Sequence, residues 1–513
     1  METETRVRHT IKNVVWTYIY NAIGCIMPFI IRSLIIYYWG LEYLGLNSLF
    51  SSVLQVLNIS ELGIGQAIVV NMYKPAANGD IKEVNKLLSL YAWFYRIIGF
   101  LVGVVGLILV PFLPYIISGS YPQEINILFV YFVYLLQSVI GYFAFPYCNA
   151  AFAANQKSEK TNKYQAFVWL IIYIIQIFVI CYCHNYYLYV ILLPIATLFC
   201  GIVIYLGMKK WFPLYSLESV KYDTFSKGFL ITFVKQISAM ALSKLRVVFR
   251  NSIDTIIISA FLGIIVVAKY QNYMLIMTVP LIIVNALPAG ILPSLGNRVA
   301  LEKAENNLKI IRLIAFLMQW VAIVCAAFLM CFYQPFVSIW AGKESVLSDT
   351  AMVLFVIYFY LKVIGEISTL VRNSSGIWWE GKWIAVFESI INLLLNIILV
   401  QFWGIEGIIL ATVISMLLIN IPFETYYVYK YYLGIHPWKD LIDYLINGII
   451  MCFAIGITYF VTRLHISKGI ITMVMWVLEC LLIPNVIWIM THLKNQNLVE
   501  IIKIGKKMLN LKS

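Results

Sequence analysis

The chain has 513 residues, of which 62% are hydrophobic and only 12% are charged. Soluble domains contain about 25% charged residues, so this composition excludes a soluble protein and predicts an integral membrane protein. The net charge of +13 does not predict nucleic-acid binding. The basic residues lie mainly between apolar runs, where they indicate membrane topology and add affinity for anionic membrane lipids.

Fourteen apolar segments are long enough to span a bilayer, which takes about 20 residues. In chain order they are 14–38, 46–73, 87–113, 125–147, 164–183, 187–208, 238–262, 271–294, 309–333, 351–371, 384–402, 407–428, 446–462 and 470–491. Most of the 37 Lys and Arg residues then fall on the side of the N-terminus, so the positive-inside rule predicts that both termini are cytoplasmic. The chain start lacks the features of a signal peptide.

An internal repeat relates the first six spans to the next six. A shift of 223 residues aligns the segment 10–119 with a later segment, without a gap, and places Gly40 on Gly263 and Gly119 on Gly342. Because six is an even number, both copies cross the membrane in the same direction. The repeat therefore predicts two lobes related by an axis along the membrane normal.

This repeat divides the chain into three predicted parts. The N-terminal lobe is 1–220 and the C-terminal lobe is 221–430, and the two are joined by the basic stretch Lys209–Lys227. The remainder, 431–513, holds two additional spans and a tail with the pattern of an amphipathic helix on the cytoplasmic surface. The fold class is an all-α polytopic membrane protein with about 14 transmembrane helices.

Charged residues inside these spans are the candidate functional groups. Arg32 lies in an otherwise apolar span, where a guanidinium costs about 2.5–3.5 kcal/mol unless it faces protein or water. The repeat extends the seventh span back to Ser238, which brings Arg246, Arg250 and Asp254 into the membrane at i, i+4 spacing on one helical face.

These charges predict a polar cavity that binds an anion. Arg32, Arg246 and Arg250 are the expected ligands of a diphosphate, which arginine holds bidentately. Asp254 and Glu61 are the expected acids that release an arginine or carry a proton. Further candidates, which also fit snorkelling or local ion pairing, are Arg96, Lys362, Glu366 and Arg372.

The sequence lacks the motifs of common catalytic sites. It has no GxxxxGK[ST] loop and no HExxH, and its five histidines are scattered. The sequence CYCH at 181–184 has no second half at metal-ligand spacing, and the nine cysteines fall mainly in apolar segments. We therefore expect a protein that is not an enzyme, with no cofactor, no metal and no disulfide framework.

Several segments resemble the polysaccharide-biosynthesis flippases, the O-antigen and capsule repeat-unit translocases of the multidrug, oligosaccharidyl-lipid and polysaccharide (MOP) exporter superfamily. They are YYWGLEYLGLNSLFSSVLQVLNISELGIGQAI, NSIDTIIISAFLG and NIILVQFWGIEGIILATVIS. The resemblance implies a V-shaped pair of lobes like that of MATE transporters. It also implies alternating access in the bacterial cytoplasmic membrane, which moves an undecaprenyl-diphosphate-linked oligosaccharide to the outer leaflet.

The same resemblance implies coupling to H⁺, Na⁺ or the membrane potential, and partners such as the polymerase and chain-length proteins of the pathway.

The residues leave three alternative functions open. A peptidoglycan-precursor flippase would use similar arginines, but the second span offers Glu61 and no arginine. A drug antiporter favours an acidic cavity, and a membrane glycan polymerase needs longer outside loops than this chain has.

Overall fold

A computed structural model describes residues 2–58, 64–119, 121–218, 228, 238, 248–301, 304–375, 381–465 and 470–510. Regular secondary structure in these ranges is helical throughout. Contacts divide the chain into two compact units, Met1–Ala268 and Lys269–Ser513. The predicted lobe boundary near residue 220 lies in 219–227, outside the described residues, and stays a prediction.

The first unit is a bundle of helices, three of which begin at a side-chain capping residue. The side chains of Asp80, Asn126 and Asn185 accept hydrogen bonds from backbone N–H groups three residues later, and the helix begins at the next residue in each case. The helices are α1 (Glu2–Tyr38), α2 (Leu41–Leu57), α3 (Ile64–Ala77), α4 (Ile81–Leu109), α5 (Leu113–Ile116), α6 (Ile127–Phe143), α7 (Tyr147–Ala154), α8 (Ser158–Phe178), α9 (Tyr186–Trp211) and α10 (Asp254–Leu262).

Two π turns belong to this unit. Val179–Cys183 extends α8, and Phe249–Ile253 leads directly into α10. Helix α11 (Ile264–Leu301) follows α10 after a single glycine, and the boundary between the two units falls within α11. The second unit contains the rest of α11 and α12 (Ala304–Trp340), α13 (Asp349–Ser375), α14 (Lys382–Ser415), α15 (Ile421–Val428), α16 (Trp438–Arg463), α17 (Ile470–Thr491) and α18 (Gln496–Asn510).

Backbone conformation supports the predicted repeat. Gly40, between α1 and α2, has φ 101°, and its counterpart Gly263, between α10 and α11, has φ 88°. Gly119 and Gly342 form the second matched pair, with φ 79° and 87°. A side chain disfavours positive φ, so the repeat keeps glycine where each copy makes the same abrupt change of direction.

The predicted fold class is confirmed, since the chain is an all-helical polytopic membrane protein. Ten described helices are long and apolar enough to cross a membrane, and a bent pair, Ile127–Phe143 with Tyr147–Ala154, makes up to eleven. Two predicted spans lie in one long run, Trp383–Leu433, which is interrupted where Gly404 adopts φ 54°. The second and seventh predicted spans include residues outside the described ranges.

Close helix packing in the first unit depends on glycines. A Cβ atom added to Gly106 of α4 would lie 2.3 Å from Cδ1 of Leu135 on α6, and one added to Gly45 of α2 would lie 2.1 Å from the carbonyl oxygen of Ile264. Small residues let membrane helices approach closely where van der Waals packing drives association. Segment 249–262 therefore packs against α2 within the first unit.

In the second unit, polar contacts join the predicted additional spans, α16 and α17, to α12. The Arg312 guanidinium donates to both carboxylate oxygens of Asp440 at 2.7 and 2.8 Å. The Trp320 indole N–H donates to Asn485 at 2.6 Å. The predicted amphipathic tail contains α18, which touches α12 and buries Leu498.

Candidate functional site

Arg32 lies in the membrane-spanning part of α1, as predicted, and its side chain is partly buried. The phenol groups of Tyr134 on α6 and Tyr189 on α9 are close enough to interact electrostatically with the guanidinium. The charge is therefore directed towards the interior of the first unit rather than towards lipid, as expected for an intramembrane arginine.

A buried asparagine joins Tyr134 to a third tyrosine, Tyr186. Tyr134 Oη donates to Asn47 Oδ1 at 2.9 Å, and Tyr186 Oη donates to the same oxygen at 2.6 Å. Asn47 is 8% exposed, and its Nδ2 has no hydrogen-bond partner among the described residues. A buried amide donor without a partner costs about 1–3 kcal/mol. The Asn47 Nδ2 group is therefore suited to donate a hydrogen bond to an acceptor atom of a bound ligand.

We call these five residues the Arg32 cluster: Arg32, Asn47, Tyr134, Tyr186 and Tyr189. Among the described residues, the cluster combines a permanent positive charge, an amide N–H and phenol groups. Such a set can hold an anion or the hydroxyl groups of a sugar. The sequence did not identify the three tyrosines or Asn47 as site residues. The chain has 35 tyrosines, and an uncharged tyrosine or asparagine in an apolar span does not by itself indicate a binding site.

The predicted residues of the seventh span lie on either side of a helix transition. Arg250 is in the π turn Phe249–Ile253 and is partly exposed, whereas Asp254 begins α10 and is completely buried. This segment is a π turn rather than the regular α-helix that the i, i+4 prediction assumed, and π turns are frequent at functional sites. Ser252 Oγ donates to Gln55 Oε1 at 2.6 Å, which attaches the turn to α2.

Arg32, Arg250 and Asp254 therefore belong to the same unit, and both the helix of Arg32 and the 249–262 segment contact α2. Arg246 and Glu61, the other two predicted cavity residues, lie outside the described residues. The assignment of all five to substrate binding or coupling stays a prediction.

The remaining candidates are placed as follows. Arg96 is exposed on α4, and Lys362 and Glu366 are partly buried on α13. The Lys362 ammonium lies 5.7 Å from the centroid of the Tyr358 ring. Arg372 is buried near the end of α13, where its Nη1 lies 2.9 Å from Oε1 of Glu424 on α15. Sequence reasoning missed Glu424, although this carboxylate inside a predicted span was a visible signal.

Other buried polar side chains form hydrogen bonds in the second unit. Asn420 Nδ2 donates to the buried Glu388 carboxylate at 2.8 Å. One turn further along α14, Asn392 Nδ2 donates to Thr412 Oγ1 at 3.2 Å. Buried polar groups in lipid must be satisfied internally, so these hydrogen bonds stabilise the packing of the first part of α14 against Asn420 and against Thr412, which lies beyond the break at Gly404.

No family model matches the sequence, and no curated protein matches it. A structure of the lipid II flippase MurJ in an inward closed conformation superposes with a TM-score of 0.69 at 12% identity, and covers 94% of this chain and 99% of that one.

Two transporters of the MOP superfamily have a similar structure. An inward-facing multidrug resistance MATE family transporter superposes with a TM-score of 0.60 at 13% identity, over 86% of this chain and 98% of that one. A Pyrococcus furiosus transporter described as having a binding pocket of reverse polarity superposes with a TM-score of 0.53 at 12% identity, over 87% of this chain and 95% of that one. At these identities the likeness establishes the fold. The chain is a polytopic helical membrane protein with the fold that MurJ shares with the MATE transporters.

Proposed function

We propose that the protein is a flippase that moves an undecaprenyl-diphosphate-linked oligosaccharide from the inner to the outer leaflet of the bacterial cytoplasmic membrane. The observation that carries this proposal is the Arg32 cluster, a cationic and donor-rich group within the membrane-spanning part of a MurJ-like fold. The alignment covers 94% of the chain, so the proposal concerns the whole transporter and not one domain.

The physical problem of such transport is desolvation. A hydroxyl group without a hydrogen-bond partner costs several kcal/mol in hydrocarbon, and an isolated charge costs far more. A repeat unit carries many hydroxyl groups beside a diphosphate, so it needs a polar path. Its polyprenyl chain is apolar and has no such cost in lipid.

Each proposed ligand has a role that follows from the chemistry of its side chain. Arg32 and Arg250 would bind the diphosphate oxygens, and the Asn47 amide would donate to an oxygen of the same head group. We assign Arg246 to the same role from its position in the sequence. Asp254 and Glu61 would release the arginines or carry H⁺, and the transport step would be driven by H⁺, Na⁺ or the membrane potential.

The proposal includes the location and partners that this cargo requires. Both termini would be cytoplasmic, and the translocated units would pass to the polymerase and chain-length proteins that make O-antigen or capsule. The protein would act without a cofactor and without catalysing a covalent step.

A peptidoglycan-precursor flippase is the alternative that a specific observation favours. The MurJ superposition has a higher TM-score, 0.69, than the MATE superposition at 0.60. Both cargoes present a polyprenyl diphosphate, so the Arg32 cluster would bind either one. The distinction lies in the sugars, which only the accumulated intermediate can identify.

Mass spectrometry of lipid extracts from the native host, with and without this gene, tests the proposal. Deletion should cause accumulation of an intact undecaprenyl-diphosphate oligosaccharide, and Arg250→Ala should reproduce it at normal protein abundance. Lys82→Ala is the matched control, because Lys82 is exposed at the start of α4. Accumulated lipid II would establish the alternative. An unchanged lipid profile would exclude both flippases, and single units exposed on the outer leaflet would indicate a polymerase.

A further inference from the structure

Five lysines gather where α8 begins and α9 ends. Three lie in and just before the first two turns of α8, and two lie in the last turn of α9. We call this group the α8–α9 basic patch, and its members are Lys157, Lys160, Lys163, Lys209 and Lys210.

Close packing of the two helices brings these lysines together. A Cβ atom added to Gly207 of α9 would lie 2.6 Å from Cε2 of Tyr164 on α8. The missing side chain therefore lets the two helices touch immediately beside the lysines. Because Tyr164 follows Lys163 and Gly207 precedes Lys209 by two residues, the contact places both groups of lysines at the same end of the bundle.

Two tryptophan rings position part of the patch. The Lys160 ammonium lies 4.5 Å from the centroid of the Trp211 ring, and the Lys157 ammonium lies 4.9 Å from the same ring. Lys163 lies 5.2 Å from the ring of Trp16 on α1. An indole face attracts an ammonium group, so these contacts restrict the positions of the three cations.

The patch has few compensating acids. Residues 156–163 contain one carboxylate, Glu159, which is 3% exposed, and residues 205–217 contain none. In the described part of the chain, none of the five lysines lies within 4.0 Å of a carboxylate. The patch is therefore a concentrated positive surface beside a tryptophan that is 40% exposed.

The position of the patch relative to the bilayer indicates its ligand. Helices α8 and α9 are both candidate spans, Ser158–Cys183 and Tyr186–Trp211, and the patch lies at the polar ends of both. Tryptophan and lysine at the end of a span lie at the level of the lipid head groups. Clusters of basic residues at that level attract anionic lipids.

We propose that the α8–α9 basic patch is a binding site for the phosphate head group of an anionic membrane phospholipid. The lysine ammonium groups contact the phosphodiester oxygens, and the exposed face of Trp211 contacts the glycerol and the first acyl carbons. This site is separate from the Arg32 cluster, and it does not depend on which cargo the protein moves.

Binding of phosphatidylglycerol to the purified full-length protein tests the proposal. Native mass spectrometry in a neutral detergent should show retained phosphatidylglycerol, and the same lipid should raise the thermal midpoint more than phosphatidylcholine does. The variant Lys157→Gln/Lys160→Gln/Lys209→Gln should weaken binding by about tenfold, and added salt should weaken binding to the unmodified protein.

A control variant removes the same charge elsewhere. Lys74→Gln/Lys82→Gln/Lys494→Gln changes three exposed lysines outside the patch, and we expect it to keep phosphatidylglycerol binding. The variant Lys157→Arg/Lys160→Arg/Lys209→Arg should also keep binding, which separates loss of charge from loss of folding.

Three results would overturn the assignment. The first is equal affinity for phosphatidylcholine, and the second is an equal loss in the control variant. The third is displacement of phosphatidylglycerol by undecaprenyl diphosphate at equal concentration, which would make the patch a docking site for cargo instead.

Discussion

The Nη1 atom of Arg372 on α13 lies 2.9 Å from Oε1 of Glu424 on α15, and both side chains are buried within the membrane-spanning region. One turn earlier on α13, Ser368 Oγ lies 3.0 Å from Thr425 Oγ1. The same two helices are thus held by an ion pair and a hydroxyl pair. Arg372 was a candidate substrate ligand from the sequence, and the structure gives it a carboxylate neighbour in its own unit.

Loss of one member of this ion pair should destabilise the protein strongly. Glu424→Gln removes the carboxylate that lies beside the buried arginine, and breaking a buried ion pair in this way costs about 3–5 kcal/mol. We expect a markedly lower thermal midpoint of the purified protein in detergent. The double variant Arg372→Met/Glu424→Leu should recover most of the loss, because both charges of the pair are then removed. A midpoint for Glu424→Gln equal to that of the unmodified protein would refute the interpretation.

Arg32 should be required for transport and not for folding. Arg32→Met keeps the length of the side chain, removes the charge and should abolish complementation of surface-glycan synthesis in a deletion strain, with abundance nearly unchanged. Arg32→Lys should restore part of the activity, because it supplies one charge without the bidentate geometry. Ser33→Ala on the same helix is the control. Full complementation by Arg32→Met would remove this residue from the ligand set.

The contact between Gly45 and Ile264 should not tolerate a side chain. The added Cβ atom of Gly45→Ala would lie 2.1 Å from a backbone carbonyl oxygen, so α2 must move, at a cost of about 1–3 kcal/mol. We expect reduced thermal stability and reduced transport. Gly24→Ala is the matched control, because no atom lies within 4 Å of its added Cβ. Similar stability of the two variants would contradict the close approach.

Cysteine labelling of intact cells should establish the orientation. In a variant without the natural cysteines, Gln123→Cys and Lys343→Cys should react with a membrane-impermeant maleimide, since both positions are exposed in loops that the sequence predicts to be outside. Asp80→Cys and Lys494→Cys, exposed at the opposite predicted side, should react only after the cells are opened. The reverse pattern would invert the topology.

Packing around His492 should make stability depend on pH. His492 lies just beyond α17, its ring centroid is 4.1 Å from that of Trp488, and its Nε2 is 3.1 Å from Asn447 Oδ1. Burial lowers the pKa of His492 below its usual value. The unfolded chain therefore binds a proton more readily than the folded protein, and stability rises with pH in this range.

The stabilisation from His492 is complete above about pH 6.5, the ordinary histidine pKa, and is lost as the pH falls through the lowered value. We expect the thermal midpoint to decrease on acidification from about pH 8 to about pH 5. His492→Gln keeps a donor for Asn447 and does not titrate, so its midpoint should decrease less. Parallel pH profiles of the two proteins would show that a group other than His492 is responsible.

Sequence alone was sufficient for the membrane class, the helical fold and most of the spans. These follow from composition and from segment length. In lipid, the backbone N–H and C=O groups have no water to bind, so each spanning segment must form its hydrogen bonds within a helix. The matched glycines were also readable from the sequence, since positive φ restricts Gly40 and Gly263 in the same way. The intramembrane arginine Arg32 was found for a similar reason, because a charge in an apolar span is conspicuous.

The partners of those charges were decided by the tertiary structure. Packing of α2, α6 and α9 brings Asn47 into contact with Tyr134 and Tyr186. These tyrosines lie 87 and 139 residues from Asn47 along the chain. Arg372 meets Glu424 for the same reason, through contact between α13 and α15. Hydropathy records how far each residue prefers lipid to water, but it contains no information about which helical faces meet. Helix packing determines which faces meet. The intramembrane arginines were therefore identifiable from the sequence, whereas the residues that they contact were identifiable only from the tertiary structure.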